Sequence, residues 1–207
     1  MTIDWDMVQF KRKIIDNARY IFDNYIDTSK GLEPLYNRPE ISSEKAVCYK
    51  NYNMVRVMGS SSGEHITAWK IDDAVNVNKL YVRAKVSVTT GDDATLILTD
   101  STLKNCIFFL IALRESNSDF IIRLRKNGSY SNIYKESVDL SGDQFYDIEG
   151  MIDFINNTIS VARDNVEKPV VSGDTLPSFD DIYVGFRSYD DNGTSIVYAK
   201  DVFITWE

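Results

Sequence analysis

Apolar and polar positions change rhythm once along this chain. Met7, Val8, Ile14, Ile15, Ala18, Ile21, Phe22 and Tyr25 recur at spacings of three, four and seven, the signature of one helical face. Lys11, Arg12, Lys13, Asp16 and Asn17 fall mostly on the other side. Asp4 can cap the first turn and Asp6 complements its dipole. The pattern predicts one amphipathic helix within residues 1–30. Its stripe needs a partner, either the chain's own next domain or the same helix in other subunits. For the second case Met7, Ile14, Ala18, Ile21 and Tyr25 form the oligomerisation seam. Isoleucine at such positions suits three strands, so a homotrimer is the favoured assembly.

Residues 31–44, with Gly31, Pro34 and Pro39, read as a linker. From residue 45 to 207 the period shortens to two. Val82, Ala84, Val86 and Val88 alternate with Tyr81, Arg83, Lys85 and Ser87, which predicts a strand with one solvated face. Cys106–Leu113 is apolar on both faces. It should be the most central strand, with a further layer over its second face. Phe120–Lys126 and Ser129–Lys135 flank Asn127-Gly128, a two-residue hairpin turn. A second hairpin has Asn156-Asn157 at its tip, placing Ile152 opposite Val161. A third has Asp190-Asp191-Asn192-Gly193 between Ile182–Tyr189 and Ser195–Trp206. About a dozen short strands at this spacing predict an antiparallel sandwich.

Composition narrows the partners. The net charge of −8 argues against nucleic acid, which needs a concentrated basic surface. No stretch approaches the ~18 apolar residues of a membrane helix. Asp4 and Asp6 stand where a secretory leader would be basic and then apolar. The chain is therefore expected to be made in the cytoplasm without export. Cys48 and Cys106 fall in predicted strands and read as buried free thiols.

Candidate chemistry is sparse. Asp147, Glu149 and Asp153 are the nearest approach to a glycosidase carboxylate pair, on what reads as an edge hairpin. His65 is the only histidine, so a nucleophilic triad or a histidine-based zinc site has little to build on. Calcium needs only oxygen ligands. Asp92, Asp93, Asp180, Asp181, Asp190 and Asp191 are its candidate holders, although turns use the same residue types. No other cofactor is expected. A two-residue turn at Asn127-Gly128 would put Arg125 opposite Tyr130, Arg123 opposite Asn132 and Ile121 opposite Tyr134. Arg123, Arg125, Tyr130, Asn132 and Tyr134 would then share one face, on which rings could stack on a sugar while guanidinium and amide groups bond its hydroxyls.

Two stretches carry a resemblance. Tyr146-Asp147-Ile148-Glu149-Gly150-Met151-Ile152-Asp153-Phe154 followed by Asn156-Asn157-Thr158-Ile159-Ser160-Val161 resembles a recurrent hairpin of the concanavalin A-like (laminin G-like) jelly rolls. Ile182-Tyr183-Val184-Gly185-Phe186, an acidic turn, then Ala199–Trp206 resembles their closing strands. The likeness covers roughly residues 45–207 and implies a mainly β jelly-roll sandwich behind the helix. It also implies a role among lectins, carbohydrate-binding modules, glycan hydrolases and viral fibre proteins. The expectation is a non-catalytic structural or adhesive subunit of a virion (phage tail, baseplate or capsid fibre), contacting other virion proteins and a cell-surface glycan. The alternative is an extracellular or cell-surface carbohydrate-binding module. A small glycoside hydrolase is the weaker alternative.

Overall fold

The computed structural model describes residues 19–20, 47–49, 54–59, 63–70, 77–90, 93–113, 118–173, 175–191 and 195–206. These residues form strands β1 (Arg19–Tyr20), β2 (Val47–Tyr49), β3 (Met54–Gly59), β4 (Gly63–Lys70), β5 (Lys79–Thr90) and β6 (Asp93–Thr99). Then come β7 (Cys106–Leu113), β8 (Ser118–Lys126), β9 (Ser129–Val138), β10 (Tyr146–Asp153) and β11 (Thr158–Arg163). The last four are β12 (Val166–Glu167), β13 (Val171–Ser172), β14 (Tyr183–Asp190) and β15 (Ser195–Trp206). The expected helix, with Met7, Ile14, Ala18, Ile21 and Tyr25, lies outside the described residues. Within that stretch only β1 is described, and it pairs with Phe203 and Ile204 of β15.

Two antiparallel sheets face each other. The first runs β12-β11-β10-β5-β15-β3-β2, with β1 on β15 and β13 on β11. The second runs β4-β14-β6-β7-β8-β9. Between them lies the core, where Val82, Ala84, Val86 and Val88 of β5 meet Ile107, Phe109 and Ile111 of β7 and Phe120, Ile122 and Leu124 of β8. The period-two alternation therefore selected the right inner residues on these strands. Gly150 of β10 leaves room for Phe109 from the opposite sheet.

Several strands depart from expectation for identifiable reasons. The chain from β14 to β15 is not a hairpin: the two strands belong to different sheets, and the acidic turn carries the chain across the sandwich. A hydrogen bond from Ser195 Oγ to Ser188 Oγ (2.9 Å) ties the crossing. In the β10–β11 hairpin Ile152 faces Ile159, and Gly150 faces Val161. The tip is longer than two residues because the Asp153 carboxylate accepts the backbone N–H groups of Ile155 and Asn156, an Asx-type turn. β10 is no edge strand, since β5 and β11 flank it. The outer face of β5 is not solvated throughout: Tyr81 and Ser87 are buried.

β7 is interior to its sheet, as its two apolar faces demand. Its second face (Cys106, Phe108, Leu110 and Ala112) is also buried. Cys106 is a free thiol. Burial pushes it up to about 11, against the opposing effect of a contact with Thr99 Oγ1. Cys48 sits in β2.

A candidate glycan-binding face

The Asn127-Gly128 turn forms as the sequence requires. Both residues have positive φ, +49° and +86°, which Asn and Gly tolerate best. Arg125 accordingly pairs with Tyr130, and Arg123 with Asn132. Beyond that point the register slips at Ile133, so Ile121 faces Lys135 and Tyr134 faces Ile122. The bulge turns Tyr134 to the core side, where its ring packs edge-on against Phe120. Burial, then the bond to Glu136, pushes its phenol up to about 12. The structure thus brings Arg123, Arg125, Tyr130 and Asn132 together and removes Tyr134.

This face continues across the whole second sheet. One cross-strand row reads Ala68, Gly185, Ile97, Phe108, Arg123 and Asn132. At its centre the Phe108 ring lies beneath two guanidinium groups, those of Arg125 (5.4 Å) and Arg187 (5.6 Å). Glu64 joins them. Arg125 Nη2 donates to both Glu64 oxygens, at 2.9 and 2.7 Å, and Arg187 Nε donates to Oε1 at 2.5 Å. Burial alone would raise the Glu64 carboxyl, but the Arg187 and Arg125 charges outweigh it and hold the group below the usual carboxylate range. Arg125 also donates to the Leu103 carbonyl at 2.8 Å. Arg187 stands 3.6 Å from Asp93.

Glu64 is on β4 and Arg125 on β8, with β14, β6 and β7 between them. On a flat sheet four steps of ~4.8 Å would by themselves separate their backbones by about 19 Å, and the register adds an offset along the strands, since Glu64 is level with Asp119 of β8; the total is beyond the joint reach of the two side chains. Their contact requires the sheet to curve inward on this face. The result is a trough whose floor, with Phe108, Ile97 and Ala68 at 0% exposure, is closed to solvent beneath its charged lining. Tyr130 stands at its rim, 50% exposed, over the Arg125 guanidinium at 4.4 Å. Arg123 Nε donates to Asn132 Oδ1 at 2.7 Å.

The other candidates are arranged differently. Asp147 receives two hydrogen bonds from Arg83, and Glu149, only 2% exposed, accepts from the Tyr81 hydroxyl at 2.8 Å. Burial and the neighbouring Glu149 charge raise the Tyr81 phenol. Both carboxylates are thus buried and engaged on the first sheet's outer side, on an interior strand and not on the edge hairpin that the sequence suggests. Asp93 lies in the trough. Asp190 and Asp191 end the neighbouring strand, where Asp191 accepts the Tyr189 hydroxyl. Asp181 accepts the Ser101 N–H at the other end of β14, next to exposed Asp180. Asp92 lies outside the described residues. Among the described residues no three His, Cys, Asp or Glu side chains are grouped to hold a metal ion.

Glu64, Phe108 and Arg187 escaped the sequence reading. Arg187 carries a faint signal, a charge directly after the apolar run Tyr183-Val184-Gly185-Phe186. Glu64, beside Ser62-Gly63, carries no sequence mark that sets it apart from a surface acid.

No protein-family model matches the chain, and no curated protein sequence does. Solved structures do match. A carbohydrate-binding module, CBM66 from Bacillus subtilis, superposes with a TM-score of 0.54 at 13% identity, over 70% of this chain and 83% of the other. The carbohydrate recognition domain of Emp47p does so at 0.55 and 10% identity, over 78% and 86%. The fold is that of the concanavalin A-like jelly rolls. The alginate lyase Aly36B matches at 0.58 and 7% identity, over 90% of this chain and 96% of the lyase.

Proposed function

We propose that this protein binds carbohydrate, without catalysis, in the trough of the six-stranded sheet. The observation that carries the reading is the curved face itself. A half-exposed tyrosine stands beside it, and Arg123 and Asn132 offer fixed donors and acceptors around a buried aromatic floor. A pyranose presents an apolar face and a ring of hydroxyls, and such a surface complements both. The glycan-related neighbours support this reading over the virion-subunit one. Engagement of Asp147 and Glu149 by Arg83 and Tyr81 favours binding over hydrolysis, since a general acid must be reachable by its substrate.

A glycan array on the full chain tests this. The wild type should retain at least one glycan class. Tyr130→Ala should weaken it by about tenfold or more, a typical loss for an aromatic anchor. Ile155→Ala, at an exposed tip of the other sheet, should leave it unchanged. An array with no retained glycan, or equal binding by Tyr130→Ala, would refute the assignment.

A further inference from the structure

The trough is already gripping something: a carboxylate of its own chain. Arg125 meets Glu64 with both carboxylate oxygens engaged, at 2.9 and 2.7 Å, and Arg187 adds a third bond. This is the arrangement with which arginine recognises a free carboxylate. The two arginines are 8% and 3% exposed, so they are held in place before any ligand arrives. Their bonding capacity is also not exhausted. Arg125 Nε and Arg187 Nη1, both closed to solvent while Glu64 is in place, make no hydrogen bond among the described residues, and Arg187 Nη1 stands 3.6 Å from Asp93. Glu64 is the least buried of the three, with its side chain 25% exposed. It follows Gly63, whose φ of +118° faces open space. The carboxylate is therefore the one partner that can turn outward without repacking the floor.

We propose that the trough takes an acidic saccharide, a chain of uronate-type sugars, and that Glu64 is an internal stand-in which the sugar carboxylate displaces. The proposal rests on the carbohydrate reading above and narrows it to a ligand class. Three guanidinium groups (Arg123, Arg125 and Arg187) line the trough against the carboxylates of Glu64 and Asp93. Release of Glu64 to solvent uncovers one further positive charge, which an incoming carboxylate offsets. The chain as a whole carries −8, so diffuse attraction cannot account for binding of a polyanion. Selectivity for a charged sugar has to come from this local grip. Glu64 acts as a built-in competitor, and the apparent affinity is the intrinsic one multiplied by the fraction of molecules in which Glu64 has turned away.

The test uses fragments of polygalacturonate, polymannuronate and polyglucuronate, each paired with its carboxyl-reduced neutral counterpart, titrated at physiological salt. The wild type should bind at least one charged fragment more tightly than its neutral partner. Glu64→Gln should tighten the charged fragment by about tenfold, as removal of a competing conformer does, and leave the neutral one unchanged. Arg125→Lys keeps the charge but not the fork, and should abolish the preference. That variant decides the matter if Glu64→Gln does not fold. Equal affinity for charged and neutral fragments, or weaker charged binding by Glu64→Gln, overturns the acidic-sugar inference while leaving the carbohydrate reading standing. If only non-uronate glycans are retained on the array, the inference alone falls. If no glycan is retained by any variant, both fall.

Discussion

Two glycines set the limits of tolerance at single positions. A Cβ on Gly185 would lie 2.1 Å from the Thr67 carbonyl oxygen and 2.5 Å from the Ala68 Cα. Both are backbone atoms of the adjacent strand, so β4 and β14 would have to part. Gly185→Ala should cost about 3 kcal/mol, the upper end of overpacking losses, read as a lowered urea midpoint. Gly150 differs in kind. Its Cβ would lie 2.5 Å from the Phe109 Cζ, the end of a side chain in the core. Gly150→Ala should cost about 1–3 kcal/mol, and Phe109→Leu should recover part of that loss in the double variant. Additive losses would show that the two positions do not interact. A glycine inside a strand signals a close approach, but the sequence does not name what approaches. Phe109 is 41 positions away along the chain and meets Gly150 only because the sheets stack.

At the scale of an element, turns decided what could be foreseen. Asn127-Gly128 is legible because both residues must take positive φ, and few sequences do so readily. The Asn156-Asn157 tip was read as equally short, but Asp153 extends it by collecting the N–H groups of Ile155 and Asn156 and the Asn156 amide. Asp153→Ala should therefore cost about 1–2 kcal/mol. It should also speed amide exchange at Ile155 and Asn156 while leaving the Gly128 amide, bonded to Lys104, as slow as before. Unchanged exchange at the tip would disprove its capping role. The bulge at Ile133 had no local marker, and one extra residue sufficed to move Tyr134 to the opposite face. The crossing from β14 to β15 was hidden for a related reason. An acidic turn permits a reversal of direction, but only tertiary packing chooses the neighbour. The alternating strands were readable because their inner faces are uniformly apolar. The trough was not, because its floor and its charges come from five strands.

Across the whole molecule, four carboxyl groups share one electrostatic bias, two of them (Glu64 and Glu136) across strands and two (Asp100 and Asp153) within a turn. Burial opposes ionisation of each, and stronger favourable partners prevail: Arg187 and Arg125 for Glu64, Asn105 and Thr102 for Asp100, Lys168 and Tyr134 for Glu136, and Asn156 for Asp153. All four lie below their ordinary values of 4.5 for Glu and 3.8 for Asp in the folded state. The unfolded chain therefore binds protons first as pH falls. The stabilisation is complete above about pH 5 and drains away as pH drops through the folded values. Thermal midpoints should stay level from neutral pH to about 5 and then descend steeply. The descent should be shallower in Glu64→Gln and Asp153→Ala, which start lower but have less to lose. A parallel descent in all three proteins would remove these carboxyls from the account.

The contact between Glu64 and Arg125 acts as a bowstring drawn between distant strands. It keeps the arc of the sheet tight. Under the acidic-sugar proposal, a guest that takes hold of Arg125 in its stead also cuts the string, so its arrival and relaxation of the arc become one event.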